Sequence, residues 1–212
     1  MQKKVFSLIM LFIPACFIYG QEAAPAESPV KEKKWAFNAT ANLYFLKDDF
    51  FVLPVARADR GRLHLEARYN YEDRNTASMW VGMNFHAGEE FTVDVTPMAG
   101  LIIGNTDGVA PGIELTLGYK RFEWYVEGEY YISYEDINLN YAYLWSDLTY
   151  SPTEWLSFGL SAQRTRLYQT GVDVQRGLLA SFTFKKVNLS TYWYNIGQGS
   201  SSFAIVGLGY NF

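Results

Sequence analysis

Apolar and polar residues alternate one by one along most of this chain. Leu156, Phe158, Leu160 and Ala162 interleave with Ser157, Gly159, Ser161 and Gln163. Ile113, Leu115, Leu117 and Tyr119 interleave in the same way with Gly112, Glu114, Thr116 and Gly118. From Arg62 to Tyr71, leucine, alanine and tyrosine take one face while Arg62, His64, Glu66 and Arg68 take the other. A period of two held over about eight residues predicts strands rather than helices. The pattern predicts about twelve of them: 35–46, 50–58, 62–71, 77–86, 91–103, 111–120, 122–132, 139–150, 156–164, 174–185, 187–195 and 203–212. Ten is the alternative count, because the joins at 58–61 and 120–121 are very tight. Pro97 lies inside an otherwise regular strand and cannot donate to a ladder, which predicts a bulge there.

Ribbons of this kind have two stable arrangements. The apolar face can pack inward in a water-soluble sandwich, or outward against hydrocarbon in a closed barrel. Three features predict the barrel: an amino-terminal export signal, strands about ten residues long, and aromatic residues gathered at strand ends. Met1–Gly20 has the form of a cleavable secretory signal, with Lys3 and Lys4 ahead of an apolar run broken by Pro14. That run is shorter than the roughly 20 residues of a spanning helix. Ile13-Pro14-Ala15-Cys16 faintly resembles a lipobox, but the apolar run continues past Cys16, so ordinary cleavage is expected. Residues 21–34 are rich in Ala, Pro, Glu and Lys without apolar periodicity and read as a disordered periplasmic tether. Residues 35–212 form the barrel domain.

Composition narrows the chemistry. Cys16 is the only cysteine, so the exported chain has no disulfide and no thiolate metal site. Of 18 Lys and Arg, Lys3 and Lys4 leave with the signal, so 16 bases stand against 22 acids and nucleic acid is disfavoured as a partner. The mean hydropathy of −0.09 resembles that of a soluble protein, as expected when only every second strand residue meets lipid.

The last twelve residues, SSFAIVGLGYNF, place Leu208, Tyr210 and Phe212 on one face and glycine or Asn211 on the other. This segment resembles the carboxy-terminal targeting signal of the small outer-membrane β-barrels of Gram-negative bacteria. The resemblance implies an all-β, transmembrane, antiparallel up-and-down barrel, with Leu208, Tyr210 and Phe212 as its assembly signal. It also implies recognition by the barrel-assembly machinery, contact with outer-membrane lipid and lipopolysaccharide, and both termini in the periplasm. No narrower family follows from it, and the oligomeric state stays open.

Facing assignments follow from the alternation. The expected membrane-interface aromatics are Phe45, Phe51, Tyr69, Tyr71 and Tyr130 at the outer rim. Phe85, Phe91, Tyr119, Phe122, Tyr150, Phe184, Tyr210 and Phe212 belong to the inner rim. The expected lumenal charges are Arg62, His64, Glu66, Arg68, Asp94, Glu114, Glu123, Glu127, Glu129 and Asp147, with Lys120 at a turn. Acids outnumber bases in that set, which favours cations in a water-filled pore. Inward Tyr44, Trp80, Tyr125, Tyr131, Tyr141, Tyr143, Trp145, Tyr192 and Tyr194 compete for the same space.

The expected function is a narrow passive channel for small polar solutes with a mild cation preference. The alternative is a closed structural or surface-interaction barrel with a filled lumen. A hydrolase is a weaker reading, since only His64 and His86 could serve as a base and both fall near the periplasmic end. The acidic pairs Asp48-Asp49, Glu72-Asp73 and Glu135-Asp136 are read as solvated loops, and neither metal nor cofactor is expected.

Overall fold

Valine, isoleucine, threonine and aromatics fill the alternating segments, and residues of that kind suit a pleated surface. The computed structural model describes residues 34–165 and 174–212. The expected signal, nearly all of the tether, and residues 166–173 of the long connection before 174 lie outside the described residues. The strands are β1 (Ala36–Phe45), β2 (Phe50–Arg60), β3 (Leu63–Tyr69), β4 (Thr76–Met83), β5 (Phe85–Ala87), β6 (Phe91–Gly104) and β7 (Gly108–Tyr119). They continue with β8 (Phe122–Ser133), β9 (Tyr141–Thr153), β10 (Leu156–Arg164), β11 (Gln175–Phe184), β12 (Val187–Tyr194) and β13 (Phe203–Asn211).

All ladders are antiparallel between sequence neighbours, and β13 returns to pair with β1 from Asn38↔Asn211 to Phe45↔Ala204. The Phe212 amide adds a bond to the Phe37 carbonyl at 3.0 Å, so the last residue helps close the ring. Segments β4 and β5 both pair with β6 and form one stave, which makes a closed barrel of twelve staves.

Pro97 does not produce the expected bulge. Gly82 faces Met98 and Phe85 faces Val95, so the register is continuous across the interruption. A proline without an amide hydrogen leaves a gap in the ladder there, while the Asn84 amide continues the regular β3–β4 pattern by donating to the Arg62 carbonyl at 2.7 Å. The register shift that does occur lies between β9 and β10, at Leu156/Phe158.

Short turns gather at one end of the barrel, the turn end, with both described termini. Gly61, Lys120 and Lys185 open two-residue turns with positive φ of 65°, 56° and 53°. The connections 46–49, 70–75, 134–140 and 195–202 occupy the opposite, loop end. The packing inverts that of a soluble protein. Met79, Leu160 and Ile103 are 72%, 60% and 59% exposed on the outer face, while Glu66 and Arg68 are each 3% exposed inside.

Candidate functional site: a charged waist above a vestibule

Alternation places every second residue of β2, β3, β7, β8 and β9 inside, and at mid-height those residues carry charge. Arg68 on β3 has a side chain with no solvent exposure. Its Nε lies 2.8 Å from Glu66, and its Nη1 lies 2.9 Å from Glu127 and 3.2 Å from Glu129 on β8. The guanidinium also sits over the rings of Tyr71 and Trp80, at 4.2 and 4.6 Å. Arg57 on β2 reaches Glu66 at 3.3 Å and, across the lumen, Glu114 on β7 at 3.1 Å. The Tyr125 hydroxyl lies between Glu114 and Glu127, at 3.0 and 2.9 Å, and Tyr71 donates to Glu127 at 2.7 Å. Ions this far from water persist only when paired and hydrogen-bonded. The belt forms a waist across the barrel.

Two clusters pack the lumen on the loop side of this waist. Tyr44, Phe51, Leu53, Val55, Tyr194, Phe203 and Ile205 form one, with Tyr44 stacked on Phe51 at 4.7 Å. Trp80, Met98, Ile102, Ala110 and Tyr131 form the other. Gly100 admits Trp80, because a Cβ there would stand 2.5 Å from the indole.

The turn side is different. A cavity of about 390 Å³ opens there, with Arg57, Tyr125, Glu127, Trp145 and Tyr192 as its floor. Asp147, at its edge, accepts from Ser161 at 2.5 Å and from Tyr192 at 3.1 Å. The taper follows from β13, whose inward residues run Phe203, Ile205, Gly207, Gly209 from the loop end to the turn end. Bulk is therefore withdrawn where the vestibule begins.

The alternation assigned several residues to positions they do not occupy. Arg62 belongs to the turn after β2, not the lumen, and its guanidinium lies 5.4 Å from the Phe85 ring. Asp94 keeps the inward phase of buried Thr96 and Met98 but stands at the turn-end mouth, where it pairs with His86 at 2.7 Å and both are well exposed. Tyr71 points inward instead of joining the outer girdle, because Asn70 adopts a φ of 58° and ends the alternation one residue earlier. Phe51 is also inward, since β2 carries apolar residues on both faces near the loop end. His64, by contrast, holds the inward place expected of it, buried between Asp59 at 2.9 Å and Glu66 at 3.4 Å. Among the described residues neither histidine is hydrogen-bonded to a serine or threonine hydroxyl.

Glu114 and Glu123 face the lumen, the first half-buried and the second open to the vestibule. Phe45, Tyr69, Phe85, Phe91, Tyr119, Phe122, Phe184, Tyr210 and Phe212 are exposed on the outer face or at its rims. Tyr150 is half-covered by Phe122 and Phe158, at 5.0 and 5.8 Å.

Arg57 was missed by the alternation, and Glu72, expected in a solvated acidic pair with Asp73, is buried instead. Arg57 follows Phe51, Leu53 and Val55 at alternate positions, and the apolar start hid the phase of that face. Glu72 sits in the 70–75 connection, where no alternation applies. It turns inside to accept from Ser78 at 2.6 Å and Trp80 at 3.2 Å, and burial pushes its carboxyl up from the ordinary range. Nearby, a hydrogen bond from Arg74 ties Asp49 to the same connection and holds the Asp49 carboxyl below its usual value. Among the described residues no cluster of three His, Cys, Asp or Glu side chains is placed to hold a metal ion.

No family model and no curated protein sequence matches the chain. Solved structures do resemble it. The KdgM porin superposes with a TM-score of 0.56 at 11% identity, covering 84% of this chain and 99% of that one. The KdgM porin in complex with disordered oligogalacturonate gives the same figures. The outer membrane protein Omp33 of Acinetobacter baumannii superposes with a TM-score of 0.47 at 13% identity, over 85% of this chain and 99% of that one. The chain thus has the fold of a porin-type barrel: closed, antiparallel and built of twelve staves.

Proposed function

We propose that the protein is an outer-membrane channel that passes small polar solutes at low flux, with a mild preference for cations. In this reading the turn end and both termini face the periplasm, and the longer loops face outward, as is usual for such barrels. The observation that carries it is a water-accessible vestibule ending on a waist of side chains, with no helix or strand laid across the lumen among the described residues. Arg57 keeps a side-chain exposure of 29% within that waist, so the belt is not wholly sealed from the vestibule. Passage requires the loop-side aromatics to move, which keeps conductance small. Twelve strands fall between the filled eight-stranded barrel and the open channel of roughly 16–18 strands.

The cation preference rests on charge. Glu66, Glu114, Glu127 and Glu129 surround Arg57 and Arg68, and Glu123 stands free of ion pairs among the described residues at the vestibule. A neighbour of this fold is known with oligogalacturonate, an acidic chain. The acidic lumen here suits that ligand poorly.

Planar-bilayer recording of the purified protein tests the proposal. The expected result is small, brief, cation-selective steps, with Glu123→Gln moving the reversal potential toward anions. A second reading, a closed structural barrel, is favoured by the absence of solvent exposure at Ile102 and Tyr131. A silent bilayer would establish that reading and overturn the channel.

A further inference from the structure

The vestibule has the chemistry of a binding site as well as the shape of an entrance. We propose that it binds a sugar-sized polyol that is uncharged or carries an amine, and that it rejects carboxylated sugars. This deepens the channel reading and rests on it for the route by which the solute arrives.

Size comes first. About 390 Å³ lies near the lower end of the roughly 300–1,000 Å³ typical of small-molecule pockets. One wall is built of Thr40 and Asn42 from β1, Ser181 and Thr183 from β11, and Asn188 and Ser190 from β12. Hydroxyls and amides both donate and accept, which matches the alternating needs of a polyol. The Asn188 amide donates to Ser181 at 2.8 Å and to Thr183 at 3.0 Å, so this wall is already ordered. Glycine sets its spacing, since a Cβ at Gly207 would stand 2.3 Å from the Ser190 hydroxyl and 2.8 Å from the Asn42 amide.

The floor supplies apolar surface. Trp145 and Tyr192 meet edge to face at 5.3 Å and are both half-buried. Rings of this kind offer large, rigid faces with a polar edge, suited to a ligand with one C–H face and a rim of hydroxyls. An acyl chain would leave the hydroxyl wall unpaired, at a cost for each buried polar group.

Charge decides among polyols. Glu123, Glu127 and Asp147 line the cavity with Arg57. Arg57 is already engaged by Glu66 and Glu114, at 3.3 and 3.1 Å. A ligand carboxylate would therefore meet like charge without a free cation to receive it, while an ammonium would meet the Glu123 carboxylate.

Saturation-transfer NMR on the folded protein in detergent micelles, with glucose, glucosamine and glucuronate as probes, tests this directly. The three share a ring and differ in charge. Glucose and glucosamine are expected to bind, with glucuronate at least roughly tenfold weaker. Glu123→Lys should reverse the order of glucosamine and glucuronate, and Ser190→Trp should abolish binding while heat-modifiability shows the barrel still folded. Equal or tighter glucuronate binding, no binding of any probe, or unchanged binding in folded Ser190→Trp would each overturn the site. Micelle binding needs no conduction. Glucose binding with a silent bilayer would refute only the channel, and conduction without sugar binding only this site.

Discussion

Arg68 concentrates the physics of this lumen in one side chain. It is fully enclosed, touches three carboxylates, and lies between the rings of Tyr71 and Trp80. Replacing it with methionine removes the cation but keeps much of the volume, leaving Glu66, Glu127 and Glu129 without that partner. Breaking a buried pair from one side costs about 3–5 kcal/mol. Urea unfolding of Arg68→Met in lipid vesicles should show a loss of that size. Wild-type stability would mean that water already solvates these carboxylates. The sequence showed that Glu66, Arg68, Glu127 and Glu129 face inward, because clean alternation surrounds each of them. It did not show that they converge, since partners such as Arg68 and Glu129 are 61 residues apart. Tyr71 was misplaced for a local reason: Asn70 and Asn75 take positive φ, and the Asn70 side chain accepts from the Asn75 amide at 2.8 Å, which redirects the chain into the barrel.

At the level of strands, the period of two gave about twelve staves, with ten left open at two tight joins, and located nearly every turn. It failed where a strand is apolar on both faces, as in β2, and where a proline changes hydrogen bonding without changing register, as at Pro97. Strand β10 gives the facing argument its sharpest form. Leu160 pairs with Leu148 and Leu178 at mid-strand and is exposed on the outer face, whereas the adjacent Ser161 is buried against Asp147 and Tyr194. Arginine at Leu160 should destabilise the barrel by about 2–4 kcal/mol in lipid, measured as the shift in its urea midpoint. An unaffected midpoint would reverse the assignment of faces. Strand β13 closes the ring through eight paired positions and the Phe212 amide. Deleting Phe212 should lower the amount of heat-modifiable protein recovered from the outer membrane. Undiminished assembly would remove the terminal residue from any targeting role.

Across the whole molecule, hydrocarbon and charge have exchanged places. The lumen is graded along its axis, from packed aromatics at the loop end, through the Arg57–Arg68 waist, to a polar vestibule at the turn end. That gradient was not legible in the sequence. It depends on which inward residues lie at the same height, and the stagger of paired strands fixes those heights. Flux, selectivity and sugar binding all presuppose that lipid covers the outer face.

Spin labels read that coverage most directly, because residues 21–212 contain no native cysteine to compete for label. Single cysteines placed in turn at 158, 160 and 162 and at 159, 161 and 163 would carry nitroxides along β10 in lipid vesicles. Labels at Phe158, Leu160 and Ala162 should collide with membrane-dissolved oxygen and be shielded from an aqueous nickel chelate, with the intervening positions shielded from oxygen. Equal access of the chelate to both sets, or the opposite phase, would contradict the barrel's placement in the bilayer.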